Sequence, residues 1–157
     1  MAPTIPTRLL IKQYLRTVLS GIGGDDDWNN AAVVTTPHPS MEQIVGDADS
    51  PVISYQDEDE SVDESRRSFS HDYATMVVSI RGIKKCPLLD PFEVEDHAEK
   101  MLSDIWRAVM SNPGMGCNAI GTTIVSPTHT VIMQGTEGWA TCVLTVEILY
   151  RKAYREA

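Results

Sequence analysis

The sequence predicts an α+β domain: a mixed or mainly antiparallel sheet with two helices packed on one face. Three observations carry this. Two stretches place apolar residues at helical spacing between start and stop signals. Several others alternate apolar and polar residues with period two. Their order along the chain is helix, strands, helix, strands. The chain has 157 residues, 42% of them apolar. That is enough for a single domain with a core that needs no staples. No internal repeat is visible.

The first helix is expected over Thr7–Ser20, with Pro6 and Thr7 opening it and Gly21 closing it. Ile11, Leu15, Val18 and Ile22 fall on one face, with Leu10 and Tyr14 beside them. Residues 21–27 (GIGGDDD) read as a turn, and Ala31–Thr36 as a short strand stopped by Pro37 and Pro39. Residues 38–50 are a mixed loop, and Pro51–Tyr55 is a second short strand. Tyr73–Ile83 is the next strand, with Ala74, Met76, Val78 and Ile80 on one side.

The second helix is expected from Asp90 to about Ser111. Asp90 caps it, Pro91 suits its first position, and Glu93 completes the capping-box spacing. Val94, Ala98, Met101, Leu102, Ile105 and Val109 form its buried stripe, and Lys100, Asp104 and Arg107 are assigned to the wet side. Its length of about 30 Å is enough to cross one sheet face. Three strands follow, Ala119–Val125, Thr130–Gln134 and Trp139–Arg151, with a turn at residues 135–138. The last is the longest. It sets Ala140, Cys142, Leu144, Val146, Ile148 and Tyr150 against Thr141, Val143, Thr145, Glu147 and Arg151, the pattern of a half-wet antiparallel strand.

The formal charge is −9, which weighs against a general nucleic-acid binder, because neutralising phosphates requires clustered Lys and Arg. The charge is local. Residues 1–45 and 73–157 each carry −1, and residues 46–72 carry −7. The densest part is Asp57-Glu58-Asp59-Glu60-Ser61-Val62-Asp63-Glu64. Such a run self-repels and favours solvation. It is read as an acidic flexible loop at about 56–70. Asp57, Glu58, Asp59, Glu60, Asp63 and Glu64, with Arg66 and Arg67, are the candidate partner or channel contacts.

No motif carries catalytic chemistry. Cys86, Cys117 and Cys142 are odd in number and lack CxxC spacing, so neither a disulfide framework nor a zinc site is suggested. Residues 108–136 hold no charge, but their prolines and glycines break a helix, and an open strand cannot span lipid. The chain is therefore read as soluble, with no membrane partner. Residues 114–119 (GMGCNA) match a loose dinucleotide pattern, but they follow a helix and open a strand, the reverse of what pyrophosphate binding needs. Asp25, Asp27 and Asn29 imitate half a calcium loop, with Asn30 in place of the turn glycine and Thr36 in place of the bidentate Glu. Ser70, His71 and Asp72 are adjacent on an extended chain and do not converge as a triad must. His38, His97 and His129 show no metal spacing. No catalytic, cofactor or metal residue is assigned, and the chain is read as a non-enzyme.

The element order is an amphipathic helix, a strand, the Pro-led strand Pro51–Tyr55, an acidic stretch, the apolar strand Ala74–Ile80, a capped helix from Asp90 and the long strand Trp139–Tyr150. This order resembles the tail terminator proteins of tailed bacteriophages, also called tail completion or minor tail proteins of that type. The resemblance covers nearly the whole chain. It implies a homo-oligomer, a hexameric ring, that caps the finished tail tube, stops its polymerisation and offers the head–tail joining surface. The implied partners are the tail tube protein and a connector or neck protein. DNA passes through the channel without sequence-specific binding, and no cofactor is expected. The place implied is the head-proximal end of the tail in the virion, and the host cytoplasm during assembly. Competing readings are another neck or baseplate ring component, and a small acidic adaptor or ligand-binding domain.

Overall fold

A computed structural model describes residues 5–25, 27–36, 50–63, 71–87, 90–134 and 137–153. The elements are α1 (Thr7–Ser20), β1 (Val34–Thr36), β2 (Val52–Asp63), β3 (His71–Pro87), α2 (Pro91–Met110), β4 (Gly121–Gln134) and β5 (Glu137–Ala153). The strands form one sheet in the order β1-β2-β3-β5-β4. β1 runs parallel to β2, and the other pairings are antiparallel. The α+β class with a mixed sheet holds.

Both helices form where their signals stand. Pro6 precedes α1, and its carbonyl accepts from Leu10 N–H at 3.2 Å. The Asp90 side chain accepts from Phe92 N–H at 3.0 Å and caps α2. Alternate residues Ala74, Met76, Val78 and Ile80 of β3 are buried, as are Ala140, Cys142, Leu144, Val146, Ile148 and Tyr150 of β5. They meet Ile11, Leu15 and Leu19 of α1 and Val94, Ala98, Met101, Ile105 and Val109 of α2 in one core. Each fully buried Leu, Ile or Val stabilises the fold by about 1.5–3 kcal/mol. Gly82 lies on the same face, and a Cβ there would come within 2.9 Å of the Cys142 Sγ and 3.3 Å of Ile105 and Met101. The absent side chain lets α2 lie close to the sheet.

The opposite sheet face carries no helix among the described residues. Tyr73, Val77, Ile83, Trp139, Val143 and Leu149 on it are only half-buried. Among the described residues the sheet is therefore a single layer with one dry face and one bare face.

Four expectations change. The acidic stretch is not a loop through Asp63: it extends β2, pairing with β3 as far as Asp63↔Tyr73. Glu64, Arg66 and Arg67, with the rest of residues 64–70, lie outside the described residues. The two strands expected over 119–134 are one, because a bulge between Ile124 and Ser126 absorbs the irregular stretch and Pro127 stays in the strand. Pro is tolerated there because β4 is an edge strand. The turn expected over 135–138 already holds β5 at Glu137 and Gly138, while 135 and 136 lie outside the described residues. Asp104 is not on the wet side: it is 2% exposed.

Candidate interaction surface

The acids of β2 divide between the two sheet faces. A β-strand sends alternate side chains to opposite faces, and a bulge resets that alternation. The register slips between Asp57 and Asp59. Asp57 therefore stands opposite Val78 and Glu60 opposite Met76, both on the helix side. Asp59 and Asp63 stand opposite Val77 and Tyr73, on the bare side. Glu58 also reaches that side, where it accepts from the Ser79 hydroxyl at 2.7 Å.

Asp57 and Glu60 are held by cations of their own chain. Arg8 of α1 pairs with Asp57, and Lys12 Nζ is 2.8 Å from the same carboxylate. Arg8 and Lys152 each lie 3.4 Å from Glu60, which also accepts from the Tyr150 hydroxyl. Burial pushes the Asp57 carboxyl up, but Lys12 and Arg8 beside it outweigh that and hold it below its ordinary value. This explains why an acidic run forms a strand. The self-repulsion read from sequence is offset by α1 and β5, which folding brings alongside.

A second polar cluster ties the loop after α1 to α2. The Asp104 Oδ1 accepts from Asn29 N–H at 3.0 Å and Asn29 Nδ2 at 2.9 Å. Its Oδ2 accepts from Asn30 N–H at 3.0 Å and Asn30 Nδ2 at 2.7 Å. Arg107, one turn on, donates to the Asp27 carbonyl and stacks on the Trp28 ring with its carbon 4.7 Å from the centroid. Asp25, Asp27 and Asn29 are thus parts of a docked loop, with Asp27 N–H bonded to Asp25. No group of three or more His, Cys, Asp or Glu among the described residues is arranged to hold a metal ion. A helical wheel flags Asp104, because it lies between Met101 and Ala108 at helical spacing.

The remaining motifs resolve into packing. Residues 114–119 form a turn that leads into β4. Gly116 has φ +67°, and a Cβ there would meet the Tyr14 ring at 3.0 Å. That glycine seats the turn against α1. His71 and Asp72 are successive residues of β3. Burial, with Lys84 and Lys100 nearby, pushes His97 below its ordinary value. Cys117 is exposed. Burial drives Cys86 up and Cys142 up to about 12.

Among the described residues, the sheet presents a bare face and two edges outward. Two cross-strand cation–π pairs lie on the face: Lys85 with Trp139 at 5.9 Å, and Arg151 with Tyr73 at 5.7 Å. A hollow on this face is lined by Asp63 of β2, Thr75 of β3, Glu147 and Leu149 of β5, and Gly121 and Thr123 of β4. A shallow groove of about 590 Å³ lies between α2 and β4, lined by Glu99, Leu102, Ser103, Trp106, Arg107 and Pro127. No helix among the described residues is long and apolar enough to cross a membrane. No protein-family model matches the chain, and no curated protein matches it.

Proposed function

We propose that the chain is a structural ring subunit of a phage tail, which caps the tail tube, ends its polymerisation and offers the head–tail joining surface. The observation that carries this reading is the single-layer sheet. Its helices cover one face, the other face is bare, and its two long flanks hold unlike chemistry. A subunit built this way presents surfaces rather than a pocket with converging reactive groups. Repeating one heterologous contact by rotation closes such subunits into a ring. The element order that resembles the terminator family supports the tail-tube assignment.

In this reading the bare face lines the channel. Glu58, Asp59, Asp63 and Glu147 lie on it. Arg81, Lys85 and Arg151 share the face and offset most of their negative charge, so the slight negative excess that remains disfavours adhering phosphates only weakly. Asp57 and Glu60 serve the fold instead, through Arg8, Lys12 and Lys152.

The test is to add the purified chain to a polymerising tail tube protein and image the products by negative stain. Tubes that stop growing and carry a ring at one end are expected. Tubes that elongate normally with bare ends would defeat the proposal.

A further inference from the structure

We infer that copies of this chain join edge to edge, the β4 flank of one against the β2 flank of the next. The inference names the contact that would build the ring and rests on that reading.

Strand directions come first. β2 and β5 both run opposite to β3, and β4 runs opposite to β5. β4 and β2 are therefore antiparallel to each other across the sheet. Rotation about an axis along the strands carries that relation to the neighbouring copy. β4 then meets the next copy's β2 as an antiparallel pair, the commoner pairing in sheets.

Edge chemistry comes second. Among the described residues β4 pairs only with β5, and β2 beyond Ser54 pairs only with β3, because β1 covers no more than Val52–Ser54. A long uncovered edge is a template for another strand. β4 has no Asp, Glu, Lys or Arg before Gln134. The β2 edge is acidic, and Asp59 already accepts from its neighbour's backbone, Glu60 N–H, at 2.8 Å. Two β2 edges repel each other. A neutral β4 edge accepts an acidic one, and its carbonyls replace Asp59 as the partner of Glu60 N–H.

The exposed apolar residues come third. Ile5 and Leu9 lie at the start of α1, the end that Arg8 ties to β2, and Val62 is in β2 itself. Trp106, Ile120 and Val125 lie on α2, just before β4 and in β4. Among the described residues, six of the seven large exposed apolar side chains thus stand on the two flanks, with Phe92 the exception. A two-fold contact between β4 strands leaves the β2 flank uncovered. The head-to-tail contact covers both.

Val125, 52% exposed at the β4 bulge, supplies the test. Light scattering would follow the assembly of the full chain, with Val125→Glu and Val125→Lys beside it, and circular dichroism melting would confirm that each variant folds. A glutamate set against the next copy's Glu58 and Asp59 is expected to weaken assembly at least tenfold, and a lysine less than threefold, because like charges at a contact are costly and opposite charges are not. Equal loss from both signs would point to a two-fold β4 contact and overturn the inference. Rings that persist unchanged in both variants would overturn it too while leaving the ring reading intact. A wild-type chain that stays monomeric at every concentration and leaves tube growth unaffected would overturn both.

Discussion

Replacing Asp104 by alanine tests the buried polar contact that ties the loop after α1 to α2. Its carboxylate, 2% exposed, takes four hydrogen bonds: two backbone N–H and two side-chain amide donors from Asn29 and Asn30. A hydrogen bond to a charged group contributes about 1.5–3 kcal/mol, but four bonds on one anion are not additive. Asn30 is itself 8% exposed, so truncation strands its N–H away from water. Asp104→Ala is therefore expected to cost about 3–5 kcal/mol, because each donor left unsatisfied costs about 1–3 kcal/mol and the four costs do not add in full. Asp104→Asn keeps the shape but turns an amide NH₂ towards donors, and should cost about 2–3 kcal/mol. Urea unfolding followed by tryptophan fluorescence reads this directly. Trp28 sits in the docked loop, and Arg107 stacks on it. With a slope of about 2 kcal/mol/M, the midpoint should fall by roughly 1.5–2.5 M for alanine. A loss under about 1 kcal/mol for both variants would refute the reasoning. It would mean that water serves Asn29 and Asn30 as well as the carboxylate does.

Two further outcomes follow from packing and charge. Gly82→Ala places a methyl 2.9 Å from the Cys142 Sγ and should cost about 1–3 kcal/mol in unfolding free energy, while Gly121→Ala, with nothing within 4 Å, should stay within about 0.5 kcal/mol. Acid should destabilise the fold in two windows of a pH series of thermal melts. The folded-state pKa of His97 lies below its ordinary value, so its neutral form belongs to the fold and stability falls as pH drops through about 6.5. Asp57 is also held low, so its contribution is present above pH 3.8 and is lost below it as the carboxylate protonates. His97→Gln should flatten the first window and leave the second, and a melt that rises on acidification through either window would contradict these directions.

The fold was legible where the signals are local. Period-3.6 stripes and caps placed Thr7–Ser20 and Pro91–Met110, and period-two alternation assigned Ala74–Ile80 and Ala140–Tyr150 to the dry face. Each pattern is written within a dozen residues of itself. The candidate surface was not legible in that way. The charge run at Asp57–Asp63 reads as solvated when only its neighbours in sequence are considered, yet Arg8 and Lys152 stand 52 and 92 residues from Glu60. Asp104 reads as wet until Asn29 and Asn30, about 75 residues away, cover it.

The sequence by itself determined the class, the two helices, the dry face of the sheet and the position of the excess negative charge, because hydrophobic period and chain chemistry are local properties. Only the tertiary structure decided which acids are neutralised within the fold and which face outward. It also decided that the strands expected over 119–134 are one, and that the sheet has an acidic flank and an uncharged one. Those outcomes depend on strand order and on the register slip between Asp57 and Asp59. A one-residue slip moves a carboxylate from one face of a sheet to the other, and the energies that set it come from partners distant in the chain.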